Sequence, residues 1–228
     1  MELNPDRLAI YNYAHLPELF VSQRLINADL MPSPEQKLEM LQHSIEFLKN
    51  EGFVYIGMDH FARPDDELAL ALKDGSLQRN FQGYSTRRGT ETWAFGASAI
   101  SQTGPVMWQR YKSLEDYYAA IDRDEMPVHK AYTLSADDIL RKDVIMRLMC
   151  GLPLDWHDLD LEYQINTQVY FREELRKLVE LEADGLVVCD AVSVSVTEKG
   201  RLFLRNIAMI FDAWLPEKAT KPSFSKTI

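Results

Sequence analysis

Apolar positions along the chain alternate between two periodicities, and the switches mark out the predicted elements. Arg7-Leu8-Ala9-Ile10-Tyr11 is short and apolar enough for a buried strand, and the pattern breaks at Pro17. Ser33-Pro34-Glu35-Gln36 is a helix start, with Ser as N-cap, Pro in the first turn and Gln36 placed to close a capping box. Leu38, Leu41, Ile45 and Leu48 follow at three- and four-residue spacing, and Gly52 supplies a left-handed stop. Phe53 to Met58 is a nearly continuous apolar run, as expected for a strand covered on both faces. A second helical stretch runs from about Asp66 to Leu72 and ends at Gly75, and Trp93 to Ile100 reads as a further buried strand. Strands alternating with helices imply βαβ units and a parallel sheet.

From about residue 131 the pattern becomes mainly helical. Ser113 and Ser135 each sit three residues before an aspartate, Asp116 and Asp138, and are expected N-caps. Ile139-Leu140, Val144-Ile145 and Leu148-Met149 form one apolar stripe; Phe171, Leu175, Leu178 and Leu181 form another, stopped by Gly185. Leu186 to Cys189 and Val192 to Val196 make a hairpin across Asp190-Ala191, and a last helix from Thr197 carries Leu204, Ile207, Phe211 and Trp214. Helix, helix, hairpin, helix is the order of a winged-helix module. The expected division is therefore an α/β region over 1–130, a winged-helix-like region over 131–216 and a polar tail over 217–228.

Composition narrows the class. With 228 residues, 46% apolar and 26% charged, the chain has ordinary globular chemistry. It contains no apolar run near the ~20 residues a membrane-spanning helix needs, and it does not open with a basic-then-apolar secretion signal. Two cysteines, Cys150 and Cys189, are too few and too far apart for a disulfide framework or zinc ribbon. A cytoplasmic protein with buried thiols is the expectation. The net charge of −10 repels nucleic acid and anionic lipid. From Thr133 to Ile228 there are 12 basic and 16 acidic residues, which argues against a DNA-reading winged helix. The stretch from Gly75 to Thr90 departs from this balance. It holds Arg79, Arg87 and Arg88 and no acidic residue, and with Arg63 these guanidinium groups suit a polycarboxylate ligand.

In parallel α/β architectures the loops after the strands build the site. Three such loops are Asn12–Pro17, Asp59–Asp66 and Ser101–Gly104, and Arg79–Tyr84 is placed to fold over the same mouth. A metal site from His15, Asp59 and His60 is disfavoured, because adjacent residues on an extended chain point apart. The plainer reading makes Asp59 a cap or an ion-pair partner of Arg63, and His60 a hydrogen-bonding group at the rim.

Asn12-Tyr13-Ala14-His15-Leu16-Pro17, the run from Ile56 to Ala69 that contains Gly57-Met58-Asp59-His60-Phe61-Ala62-Arg63-Pro64, Arg79-Asn80-Phe81-Gln82-Gly83-Tyr84 and Ser98-Ala99-Ile100-Ser101 closely resemble the bacterial oxygen-independent coproporphyrinogen III oxidases. Arg141 to Ile145 and Gly200 to Ile207 extend the resemblance, which runs from about residue 7 to the C-terminus. It implies a partial (βα) radical S-adenosylmethionine barrel of about three parallel strands. It also implies conversion of coproporphyrinogen III to protoporphyrinogen IX by oxidative decarboxylation of two propionates, driven by a 5′-deoxyadenosyl radical. The implied cofactors are S-adenosylmethionine and a [4Fe-4S] cluster. Ala14 and Ile100 are implied contacts of S-adenosylmethionine, and Phe81 and Gln82 are implied to line the same cavity. Around Glu91-Thr92-Trp93-Ala94 the chain departs from the family's Asp-Leu-Leu-Gly pattern.

The family's cluster motif, Cys-x-x-x-Cys-x-x-Cys, does not occur in these 228 residues, nor does its glycine-rich methionine-binding motif. The resemblance implies that both lie upstream of Met1. The chain is then expected to bind no cluster and to be inactive alone, with no metal ligands of its own. It is also expected to pair with another copy through exposed strand edges. A haem-trafficking relative and a free-standing winged-helix interaction module are the competing functions.

Overall fold

The structure, a computed structural model, describes residues 3–80, 82–87 and 89–215. After β1 (Arg7–Ala9) the chain makes two short 3-10 turns, Val21–Leu25 and Ala28–Leu30. The helix α1 (Pro34–Asn50) begins where local chemistry dictates: Gln36 N–H donates to Ser33 Oγ at 3.2 Å, and Ser33 N–H donates back to Gln36 Oε1 at 2.9 Å. Gly52, at φ +85°, turns the chain into β2 (Val54–Gly57). Next come β3 (His60–Ala62), α2 (Glu67–Asp74), β4 (Gln78–Asn80) and β5 (Gly83–Ser85). Asp66 caps α2 at the Leu68 N–H and left-handed Gly75 ends it, as the spacing predicts.

The ladder direction differs from the expectation. Every strand pairing among the described residues is antiparallel, and the first sheet runs β1-β3-β2. The cause is local. Gly57 at φ +153° and Met58 at φ +52° reverse the chain at once, so β2 pairs with the strand that follows it and needs no helical crossover. No closed barrel is formed by the described residues.

The chain divides into two compact units: residues up to 86 together with those from 144 onward, and residues 87–143. The second unit contains a meander of β6 (Ile100–Thr103), β7 (Val106–Arg110) and β8 (Val128–Thr133), with α3 (Leu114–Asp122) between the last two strands. The strand expected over Trp93–Ile100 begins only at Ile100. Gly96 at φ +96° and Ser98 at φ +62° leave the extended region, and before them only an isolated bridge joins Thr92 to Gln102. Ser113 and Ser135 accept from the N–H groups of Asp116 and Asp138 at 3.3 and 3.2 Å, and so cap α3 and α4 (Ala136–Met149) as predicted.

The chain then returns to the first unit. The sequence pattern did not separate β9 (Leu154–Asp155), α5 (Trp156–Tyr163) and α6 (Thr167–Tyr170). They are followed by α7 (Arg172–Ala183), the hairpin β10 (Val187–Cys189) and β11 (Ser193–Val196), and α8 (Leu204–Met209). The hairpin pairs as expected, with β9 added on its outer side in the order β10-β11-β9. The final helix starts as a 3-10 turn over Gly200–Phe203. Leu204, Ile207 and Phe211 are buried, whereas Trp214 is 69% exposed and lies off the stripe. One core cluster gathers Ile56, Ala62, Leu68, Ala69, Leu77 and Cys150; another gathers Leu48, Phe53, Tyr55 and Phe61. Each large apolar side chain so buried stabilises the fold by roughly 1.5–3 kcal/mol. Among the described residues no helix is long and apolar enough to cross a membrane. The tail, with Phe81 and Arg88, lies outside the described residues.

Candidate functional site

Two loops of the first unit carry candidate residues. In the loop Asn12–Pro17, half-buried Ala14 is held through its backbone: its carbonyl accepts from Gln23 Nε2 at 3.1 Å, and Leu16 N–H donates to Gln23 Oε1 at 2.5 Å. One amide side chain from the first 3-10 turn thus shapes the loop. Tyr13 and His15 lie with ring centroids 5.9 Å apart. Sequence reading did not single out Gln23, because its role depends on a return of the chain that no periodicity encodes.

The second loop converges where divergence was expected. Asp59 Oδ1 and His60 Nδ1 are 2.7 Å apart, both side chains about four-fifths buried, because the tight turn at Met58 replaces the extended geometry assumed from sequence. Asp59 therefore orients the imidazole and does not pair with Arg63. The His60 ring packs edge-on against Tyr84 at 5.2 Å. A Cβ on Gly83 would lie 3.1 Å from His60 Nε2, and a Cβ on Gly57 would collide with the hydroxyl of Tyr84. The two hairpins β2–β3 and β4–β5 are thereby clasped reciprocally, each offering a glycine to the other's ring. At the tip of β4–β5, Asn80 Oδ1 accepts from the N–H groups of Gln82 and Gly83 at 2.8 and 3.2 Å. The Gln82 amide is left exposed, without a hydrogen-bond partner among the described residues. Burial drives the phenols beneath this clasp well above the usual tyrosine range, Tyr55 to about 12 and Tyr84 further still.

The candidate arginines divide by what they touch. Arg63 donates to the Glu51 carbonyl at 3.0 Å and to Asn4 Oδ1, and its guanidinium lies 4.0 Å from the Phe53 ring centre, so it is engaged in structure. Arg79 stands 5.8 Å from the Tyr84 ring with its buried Nε unbonded and no carboxylate partner among the described residues. Arg87 belongs to the second unit and Arg88 lies outside the described residues. Ile100, half-buried at the start of β6, is also in the second unit.

Arg201 lies in the Gly200–Ile207 run that resembles the family. Its Nη2 donates to the carbonyls of Tyr55 and Ile56 at 2.8 and 3.0 Å, tying the C-terminal region to β2 across 146 and 145 residues of chain.

The residues present do not fit an iron–sulfur cluster. Cys150 is buried in the core, and burial together with Glu182 and Asp190 pushes the Cys189 thiol up, away from the thiolate form that ligates iron. Among the described residues no group of three or more His, Cys, Asp or Glu side chains is arranged to hold a metal ion. The parts of the chain implied to face S-adenosylmethionine are compatible with it. Ala14 and Ile100 are half-buried with small or apolar side chains, and the Gln82 amide offers both a donor and an acceptor.

Comparisons with known proteins bear on the same residues. The family described as HemN C-terminal domain matches residues 134–203. Oxygen-independent coproporphyrinogen III oxidase of Escherichia coli is 47% identical over 227 residues, covering 100% of this chain and 50% of that protein. The Pseudomonas aeruginosa protein of the same name is 46% identical over 99% of this chain and 49% of its own length. That of Thermostichus vulcanus is 40% identical over 100% of this chain and 70% of its own. The solved Escherichia coli coproporphyrinogen III oxidase (HemN), described as a radical SAM enzyme, superposes with a TM-score of 0.90 at 47% identity, over 94% of this chain and 49% of that one. The chain thus spans about half the length of most of these relatives. With identity of this order carried through both units, the chain belongs to the oxygen-independent coproporphyrinogen III oxidase family.

Proposed function

We propose that the chain is the cofactor-facing and C-terminal portion of an enzyme that oxidatively decarboxylates two propionates of coproporphyrinogen III to vinyl groups, giving protoporphyrinogen IX. The observation that carries this reading is 40% identity across 100% of the chain and 70% of the Thermostichus vulcanus oxidase. In this reading residues 1–130, whose described strands pair only antiparallel with one another, border an incomplete (βα) barrel built by other residues, and 131–216 form a winged-helix-like cover; the family match over 134–203 supports a separate C-terminal portion. S-adenosylmethionine, with a four-iron cluster ligated by residues other than these 228, supplies the hydrogen-abstracting chemistry.

The chain's own residues bind and orient. Gln23 holds the Ala14 loop in shape as one wall, and Ile100 offers an apolar contact. Gln82 is presented on a clasped hairpin, its amide open to ribose or amino-acid groups. Arg79, lacking an acidic partner among the described residues, receives a propionate. Arg63 steadies the neighbouring turn, while Arg87 and, outside the described residues, Phe81 and Arg88 complete the proposed set. The net charge of −10 supports an enzyme without nucleic-acid or anionic-membrane partners, and the two unpaired cysteines support a cytoplasmic setting. Its short open strands support pairing between copies.

The test is anaerobic reconstitution followed by product analysis, with the chain alone and with a polypeptide corresponding to the cluster-bearing first half of its relatives. Protoporphyrinogen IX is expected only from the combination. Stoichiometric iron on the chain alone, or cleavage of S-adenosylmethionine by it, would overturn the division of labour, and a combination that binds its cofactors without making product would overturn the activity.

A further inference from the structure

In the second unit, Trp108 and Arg110 lie two residues apart on β7, on either side of an irregularity in its pairing with β8, and each meets an aromatic ring of the segment that precedes β6. Register places Ser101 opposite Trp108, while Ile100 lies opposite Gln109 on the other face. The buried Ser101 hydroxyl accepts from the Ala94 N–H at 3.0 Å, which holds the segment Thr92–Phe95 over the Trp108 face. Trp93 packs edge-on against Trp108 at 5.5 Å, and the Arg110 guanidinium lies 5.7 Å from the Phe95 ring centre.

Two features of this arrangement are unexplained by folding. Trp93 and Phe95 are 61% and 83% exposed, large aromatic area that a folded unit ordinarily covers. Arg110, in a protein with 35 acidic residues, has no ion-pair or side-chain hydrogen-bond partner among the described residues, and its buried Nε is unbonded. An unpaired, partly desolvated guanidinium calls for an anion, and the neighbouring rings call for a π surface. A pyrrole ring bearing a carboxylate arm satisfies both together.

We propose that Arg110, Phe95 and Trp93 form a recognition surface for a propionate-bearing pyrrole of the tetrapyrrole other than the one being decarboxylated, since the surface lies on the sheet face opposite Ile100. The inference rests on the tetrapyrrole reading above and adds residues outside the acid-free stretch.

Coproporphyrin III, the stable oxidised form of the macrocycle, is titrated into the full chain while tryptophan fluorescence is followed. Arg110→Gln is expected to raise Kd about tenfold, and Phe95→Ala or Trp93→Ala about fivefold. Arg110→Lys retains part of the affinity. Arg123→Gln, at an exposed arginine paired with Glu125, and Trp214→Phe, at an exposed tryptophan of the other unit, leave Kd unchanged. Circular dichroism of every variant should match the parent, since Trp93 and Phe95 are exposed; a variant that fails this check is replaced by Phe95→Leu. Equal Kd for parent and all three site variants, or no binding at all, overturns the surface. The combination assay above judges the tetrapyrrole activity separately: product from a chain carrying Arg110→Gln at unaltered Kd would sink this surface and spare that reading.

Discussion

The Tyr84 hydroxyl donates to the carbonyl oxygen of Met149 at 2.7 Å, joining the β4–β5 hairpin to the last turn of α4. The same hydroxyl fills the space beside Gly57, so one phenol links three segments distant in sequence. Tyr84→Phe should cost about 1 kcal/mol, the net worth of a hydrogen bond. Gly57→Ala should cost more, about 2–4 kcal/mol, from collision with the ring and from its φ of +153°. In a double-mutant cycle followed by urea unfolding, the two changes should be less than additive, because removing the hydroxyl relieves part of the collision.

Gly200 meets a harder obstacle. A Cβ there would run into the Leu186 carbonyl, a backbone atom, and come within 2.9 Å of Val196 Cγ1. Gly200→Ala is therefore expected to lower stability by about 3 kcal/mol or more. Hydrogen exchange should locate the first loosening at β10–β11 and the Gly200–Phe203 turn.

Alkaline pH should unfold the chain through its buried phenols. Tyr55 is held neutral up to about 12, mainly by burial, whereas in the unfolded chain it ionises near 10. Its neutral form thus contributes stability that is fully present below pH 10 and is lost as pH rises toward 12; Tyr84 acts in the same direction. Urea midpoints should fall between about pH 10 and 12, the unfolded and folded values of Tyr55. Tyr55→Phe should flatten the fall, and absorbance at 295 nm, the usual phenolate band, should show two phenols titrating only on unfolding.

The Asp59–His60 pair offers a conformational readout. Asp59→Ala releases the imidazole that packs on Gly83, and exchange of the Gln82 and Gly83 amides should quicken by about tenfold, the equivalent of one charge-assisted hydrogen bond. Amides of β10–β11 should be unaffected. Unchanged exchange at Gln82 and Gly83 would mean that the hairpin is held without the pair.

Local chemistry was legible in the sequence; long-range geometry was not. The Ser33–Gln36 box, the Gly75 stop and the serine caps of α3 and α4 each depend on residues within four positions, and each forms as the spacing predicts. The pairing direction of β2 is not legible in the pattern, because φ at Met58, a residue with no strong turn preference, decides it. The same turn brings Asp59 and His60 together where an extended chain would hold them apart. Gln82 and Ile100 came from the family resemblance, whereas Gln23, Arg110 and Arg201 act across chain returns that no periodicity announces.

Arg201 also bears on colloidal behaviour. β2 is an outer strand of its sheet, and the guanidinium that occupies the carbonyls of Tyr55 and Ile56 caps acceptors on which another polypeptide could otherwise grow. Removing it, as in Arg201→Ala, would turn a sealed rim into a template, and thioflavin-positive fibres nucleating from still-folded protein would be the visible sign.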